Sequence, residues 1–148
     1  MVLLTMNKCI KILILPLLFV LIILIWSGFN PAQILFGNGL AADNVVEVSL
    51  KLEGITSPGE AENILSEQTV GSQEFFRIMR QSDYWKPIFQ PGYYIGKNDS
   101  PLIHFTMRIE DNFHRGTLYK NRPYICLDGE WYYVTNKSVY DLISDLIV

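Results

Sequence analysis

Hydrophobic positions fall into two unlike patterns along this chain. From Ile12 to Trp26 (ILILPLLFVLIILIW) every side chain is apolar. From Val45 onward apolar and polar residues alternate with period two or recur at helical spacing, as they do in a folded domain. The stretch Asn30 to Asn44 lies between the two and reads as a linker.

As a helix the uninterrupted apolar run is about 22 Å long, and continuing it through Phe29 gives about 27 Å, close to the hydrocarbon thickness of a thin bilayer. Ile12 to Phe29 is therefore expected to be an N-terminal transmembrane helix. Trp26 and Phe29 would stand at the outer interface, where aromatic rings are favoured. Lys8 and Lys11 precede the run, and no Lys or Arg lies between Trp26 and Leu50. The positive-inside rule then leaves the N-terminus in the cytoplasm and sends the domain outside. Removal of the segment as a signal peptide is the alternative, and its small-residue site is at Gly39-Leu40-Ala41 or at Ala42. That site lies far beyond the apolar core, which favours a retained anchor. The expected organisation is a membrane anchor or signal segment over residues 1–29, a linker over 30–44 and an extracytoplasmic α+β domain over 45–148.

Within the domain, Val45 to Leu52 alternates as a half-buried strand, with Val46, Val48, Leu50 and Leu52 inward. Ser57-Pro58-Gly59-Glu60 has the form of a helix start and predicts a short helix over Ala61 to Gln68. A second helix is predicted from Gln73 to Ser82, capped by Ser72, with Phe75, Phe76 and Met79 inward. Tyr84 to Pro101 is rich in proline, glycine and aromatic residues and reads as a long loop holding at most one short strand. A second clean strand places Ile103, Phe105, Met107 and Ile109 inward. Another strand is expected from Gly116 to Tyr119. Asp128-Gly129, between Tyr124 to Leu127 and Glu130 to Val134, is a type I′ hairpin signal that sets Cys126 opposite Trp131 and Ile125 opposite Tyr132. A last helix, Val139 to Ile147 behind Ser138, presents Val139, Leu142, Ile143 and Leu146 to the sheet. The sum is an α+β fold, an antiparallel meander of three or four strands with two or three packed helices.

Charge narrows the partners. All fifteen acidic residues and ten of the twelve basic ones lie in the distal part, which nets −5. Such a surface does not suit a phosphate backbone, so no nucleic-acid partner is expected. Cys9 and Cys126 fall on opposite sides of the expected membrane span and cannot form an intrachain disulfide. The histidines, His104 and His114, match no zinc spacing, and glycine-rich phosphate loops are absent from the sequence, so no metal and no cofactor are expected. Cys126 lies in apolar company, where a thiol is a poor nucleophile.

The aromatic segment is the one feature that suits recognition. Tyr84, Trp85, Phe89, Tyr93 and Tyr94 are interleaved with Lys86 and Gln90, and flat rings beside polar groups give large contact area at low entropic cost. These five are the candidate ligand or partner contacts, with no catalytic residue assigned. The same rings could instead fold back to complete a small core, or lie on the membrane surface. The ending, a strand followed by DGEWYYV and an amphipathic helix, resembles small exported bacterial domains, and no function is carried over from it. The expected function is a single-pass membrane-anchored protein with a non-catalytic extracytoplasmic binding or accessory module, whose partner is another membrane or extracytoplasmic protein. The alternative is a small secreted or periplasmic hydrolase using His104 or His114 with a nearby carboxylate.

Overall fold

The computed structural model describes residues 14–25, 31–36, 44–54, 63–87 and 100–147. Residues 14–25 form a helix, α1, whose side chains are exposed apart from the half-buried Ile23. Among the described residues no helix is long and apolar enough to cross a membrane. The two ends of the expected span, Ile12 to Leu13 and Trp26 to Phe29, lie outside the described residues.

The remaining elements are α2 (Pro31–Phe36), β1 (Val45–Gly54), β2 (Asn63–Val70), α3 (Ser72–Met79) and β3 (Tyr84–Trp85). They continue with β4 (Leu102–Ile109), β5 (Asn112–Tyr119), β6 (Tyr124–Leu127), β7 (Glu130–Val134) and α4 (Ser138–Ser144), the last prolonged by a 3₁₀ turn, Asp145–Ile147. The domain is α+β, and its strands form one seven-stranded antiparallel sheet in the order β2-β1-β4-β5-β6-β7-β3. The expected meander is its β4 to β7 portion, extended at both edges.

Alternation gives the sheet two faces. Val48, Leu50, Ile103, Phe105, Met107, Leu118, Ile125 and Tyr132 point to one side. There they meet Phe75, Phe76, Ile78 and Met79 from α3, and Val139, Tyr140, Ile143 and Ile147 from the C-terminal turns. Gly116 makes this packing possible: a Cβ there would fall inside the Phe105 ring, which crosses β5 at that point. Asp128 (φ 51°) and Gly129 (φ 85°) both take positive φ, as a type I′ turn requires, and the pairs Cys126–Trp131 and Ile125–Tyr132 face each other in the expected register.

Several expectations are corrected. Val46 is exposed, because the β1–β4 register slips between Val45 and Glu47 and the bulge turns the side chain away from the core. Asn63 to Gln68, expected as helix, belongs to strand β2, which pairs with β1 from Val48–Val70 to Gly54–Asn63. Only weak helical amphipathicity supported the helix, and the unpaired backbone of β1 offered a full ladder of hydrogen bonds in its place. The Ser57 to Glu60 start signal lies outside the described residues. Gly71, not Ser72, occupies the N-cap of α3, and no side chain caps it. At α4 Asn136 does the work expected of Ser138, its Oδ1 accepting from the Ser138 backbone N–H at 3.1 Å. β5 begins at Asn112, four residues before the expected Gly116.

Within the stretch read as a linker, residues 31–36 form α2. Ala32, Leu35 and Phe36 of α2 are buried members of the main core. Phe36 is 1% exposed and surrounded by the rings of Phe75, Phe76, Tyr84 and Phe105 at centroid distances of 5.3 to 6.3 Å. Arg80 Nε donates to the Phe36 carbonyl oxygen (3.1 Å), and its guanidinium lies 5.5 Å from the Phe76 ring centre. Residues 31–36 are thus a structural part of the domain.

Candidate functional site

The sheet face opposite the helices carries the polar and aromatic chemistry. Cross-strand pairing sets its side chains in rows. One row runs Lys51, His104, Thr117, Cys126, Trp131 over β1, β4, β5, β6 and β7, and a shorter one runs Tyr124, Tyr133, Trp85 over β6, β7 and β3.

At the β1 end of the first row, Glu53 is a buried carboxylate, 3% exposed. It forms an ion pair with Lys51 Nζ, and its Oε2 lies 3.2 Å from His104 Nε2, an ion-pair distance without hydrogen-bond alignment. On its other side the imidazole meets Thr117, with Nδ1 2.9 Å from Oγ1. A carboxylate, an imidazole and a hydroxyl therefore stand in line across three strands. His114 has its own carboxylate, with Nδ1 2.8 Å from Asp128 Oδ2, while Asp128 Oδ1 accepts from the Arg115 backbone N–H at 2.8 Å. That second pair buttresses the β6–β7 turn.

Beside His104 and Thr117 a shallow groove of about 530 Å³ opens over Thr106, Phe113, Arg115 and Cys126. Burial pushes the Cys126 thiol up, opposed by a backbone hydrogen bond from Gly129 and reinforced by the Asp128 carboxylate. Thr117 also stands between Cys126 and His104 in the row, so these two do not form a nucleophile–base pair. Among the described residues no group of three or more His, Cys, Asp or Glu side chains could hold a metal ion.

The aromatic candidates divide. Tyr84 is core: its ring contacts Phe36, its hydroxyl donates to the Met79 carbonyl oxygen (2.7 Å), and burial raises its phenol pKa far above the ordinary value. Trp85, one residue on, points the other way and is 44% exposed on an edge strand. Phe89, Tyr93 and Tyr94 lie outside the described residues. Pairing brings in rings that the sequence segment did not contain. Tyr133, 39% exposed, is the cross-strand partner of Trp85, and Tyr124 meets Tyr133 edge-on at 5.8 Å. Tyr119 and Trp131 stack at 5.1 Å with Leu102 in a second, smaller cluster on this face. The signal for these was present in the alternation of β5 to β7, but the alternation does not say which strands are neighbours.

Comparison with protein-family models, curated proteins and solved structures finds no match for this chain.

Proposed function

We propose that this chain is a single-pass membrane-anchored protein whose extracytoplasmic α+β domain is a non-catalytic binding or accessory module. The observation that carries the retained anchor is the burial of Ala32, Leu35 and Phe36 in the domain core. Cleavage near Ala41 or Ala42 would strip those side chains out of a finished core, so the segment that follows the apolar run has a structural reason to stay attached. The groove and the exposed ring pair Trp85–Tyr133 support the binding part of the reading.

Two measurements on the full chain in its native membrane test the proposal. The mature chain is expected to keep residues 31–36, and a mature N-terminus near Ala41 or Ala42 overturns the anchor. A photo-crosslinking residue placed at Arg115, in the groove, is expected to give a discrete adduct that the same residue at Asp145 does not. Identical patterns from both positions overturn the binding surface.

The line Glu53–His104–Thr117 favours a second reading, a hydrolase in which His104 takes a proton from a hydroxyl or water. It ranks lower because Lys51 already neutralises Glu53 and the Glu53–His104 contact is not aligned as an orienting hydrogen bond. Activated-ester hydrolysis by the full chain, lost in His104→Ala and in Glu53→Gln, would reverse that ranking.

A further inference from the structure

We infer that a pocket between the β5–β6 turn and the start of α4 binds a small organic phosphate monoester, at a site separate from the groove and independent of the anchor. The cavity measures about 200 Å³ and shares no lining residue with the groove described above. Sites for drug-sized ligands run to roughly 300–1,000 Å³, so this one suits a smaller molecule. Its floor is apolar and belongs to the domain core, since Leu118, Val134, Val139 and Tyr140 are all buried. Hydrogen bonds fix its walls. The Val134 backbone N–H donates to the Pro123 carbonyl oxygen (2.8 Å), Asn136 Nδ2 to the Gln81 carbonyl oxygen (3.2 Å) and the Tyr140 hydroxyl to the Pro101 carbonyl oxygen (2.7 Å). A cavity held in this way has little ordering cost to meet when it takes a ligand.

Charge names the ligand. Lys120, Arg122 and Lys137 line the pocket, and among the described residues no Asp or Glu does. The net −5 of the distal part therefore hides a local excess of positive charge. Lys51, Arg77 and Lys86 each pair with a carboxylate elsewhere on the domain, whereas Lys120 and Lys137 are exposed and have no carboxylate partner among the described residues. Two ammonium groups and a guanidinium around one concavity with an apolar floor focus a positive field into it. A phosphate monoester answers that field with a charge of about −1.5 to −2 at pH 7 and three oxygens for charge-assisted hydrogen bonds. A carboxylate has less charge and fewer acceptors to offer. The apolar floor gives the organic part of the ester a surface to cover, which inorganic phosphate would leave in contact with water.

Isothermal titration calorimetry on the full chain in a nonionic detergent tests this, with phenyl phosphate, inorganic phosphate and benzoate as probes. Phenyl phosphate is expected to saturate a single site, and the other two to bind about tenfold more weakly or worse. Lys120→Gln/Lys137→Gln changes two exposed side chains and is expected to weaken phenyl phosphate binding by about tenfold or more. Lys86→Gln, whose ammonium pairs with Glu130 outside the pocket, is expected to leave it unchanged. In the parent chain the affinity is expected to fall as salt is raised, and an affinity indifferent to salt overturns the cationic site without recourse to any variant. Absence of saturable phenyl phosphate binding, or equal binding by parent and double variant, overturns the site as well. Benzoate binding as tight as that of phenyl phosphate overturns the phosphate assignment, and inorganic phosphate binding as tight overturns the part given to the apolar floor.

Discussion

Truncating Phe36 to alanine is the sharpest perturbation of the proposed architecture. The side chain is 1% exposed and touches four aromatic rings, so little can relax into the space it leaves. A buried Phe→Ala change costs about 3–5 kcal/mol, and the ring contacts put this site in the upper half of that range. For a domain of roughly a hundred residues, that corresponds to a fall in melting temperature of about 16–40 °C. Leu35→Ala should add about 2 kcal/mol or more. Together the two approach the whole stability of an ordinary domain, about 5–15 kcal/mol, and cleavage near Ala41 removes both. The assay is a thermal melt of the full chain in mild detergent, followed by near-ultraviolet circular dichroism, which reads the packed rings of the domain and is insensitive to α1. Phe36→Leu, which keeps most of the apolar volume, should recover much of the loss. If Phe36→Ala melts within a degree or two of the parent chain, α2 is not part of the core, and the proposal of a retained anchor loses its support.

Three further outcomes follow from other sites. Gly116→Ala forces the Phe105 ring off β5 and is expected to cost about 1–3 kcal/mol in a denaturant titration, while Phe105→Leu in the same chain makes the two effects less than additive. Gly129→Ala places a Cβ at φ 85° and should destabilise the β6–β7 hairpin by about 1–2 kcal/mol; hydrogen exchange of the β6 and β7 amides should show the loss locally. Burial, with Asp141 adding, pushes the Tyr140 phenol from 10.0 up to about 12, and its hydroxyl donates to the Pro101 carbonyl oxygen. The folded-state value is raised, so this contribution is complete below pH 10 and is lost as pH rises towards 12. Melting temperature against pH should therefore fall across that window in the parent chain and fall less in Tyr140→Phe.

What could be read from the sequence was local. The alternation of β4 specifies a strand and its inward face because a period of two leaves one register that buries Ile103, Phe105 and Met107. Asp128-Gly129 specifies a hairpin because few residue pairs accept positive φ at both turn positions, and the register of β6 on β7 follows from the two-residue loop. The apolar faces of α3 and α4 are equally local, since helical spacing alone groups Phe75 with Met79 and Val139 with Ile143. The candidate site was legible only as an aromatic segment, of which Trp85 is the described residue that reaches the surface.

Partners decided the rest. Asn63 to Val70 became a strand because β1 had an unfilled edge, a fact held by residues nine or more positions away. The row Lys51, His104, Thr117, Cys126, Trp131 draws on five strands, and the burial of Glu53 beside His104 depends on β1 lying next to β4, which no pattern within either strand encodes. The same holds for residues 31–36. Ala32, Leu35 and Phe36 are too few and too close to the apolar run to announce a core element, and only the space between α3, β3 and β4 gives them one. Periodicity and turn chemistry act between neighbours along the chain, and so the sequence determined the elements and their faces. Burial and pairing energies belong to the assembled contacts, and so the tertiary structure alone decided which strands are neighbours and that Ala32, Leu35 and Phe36 join the core.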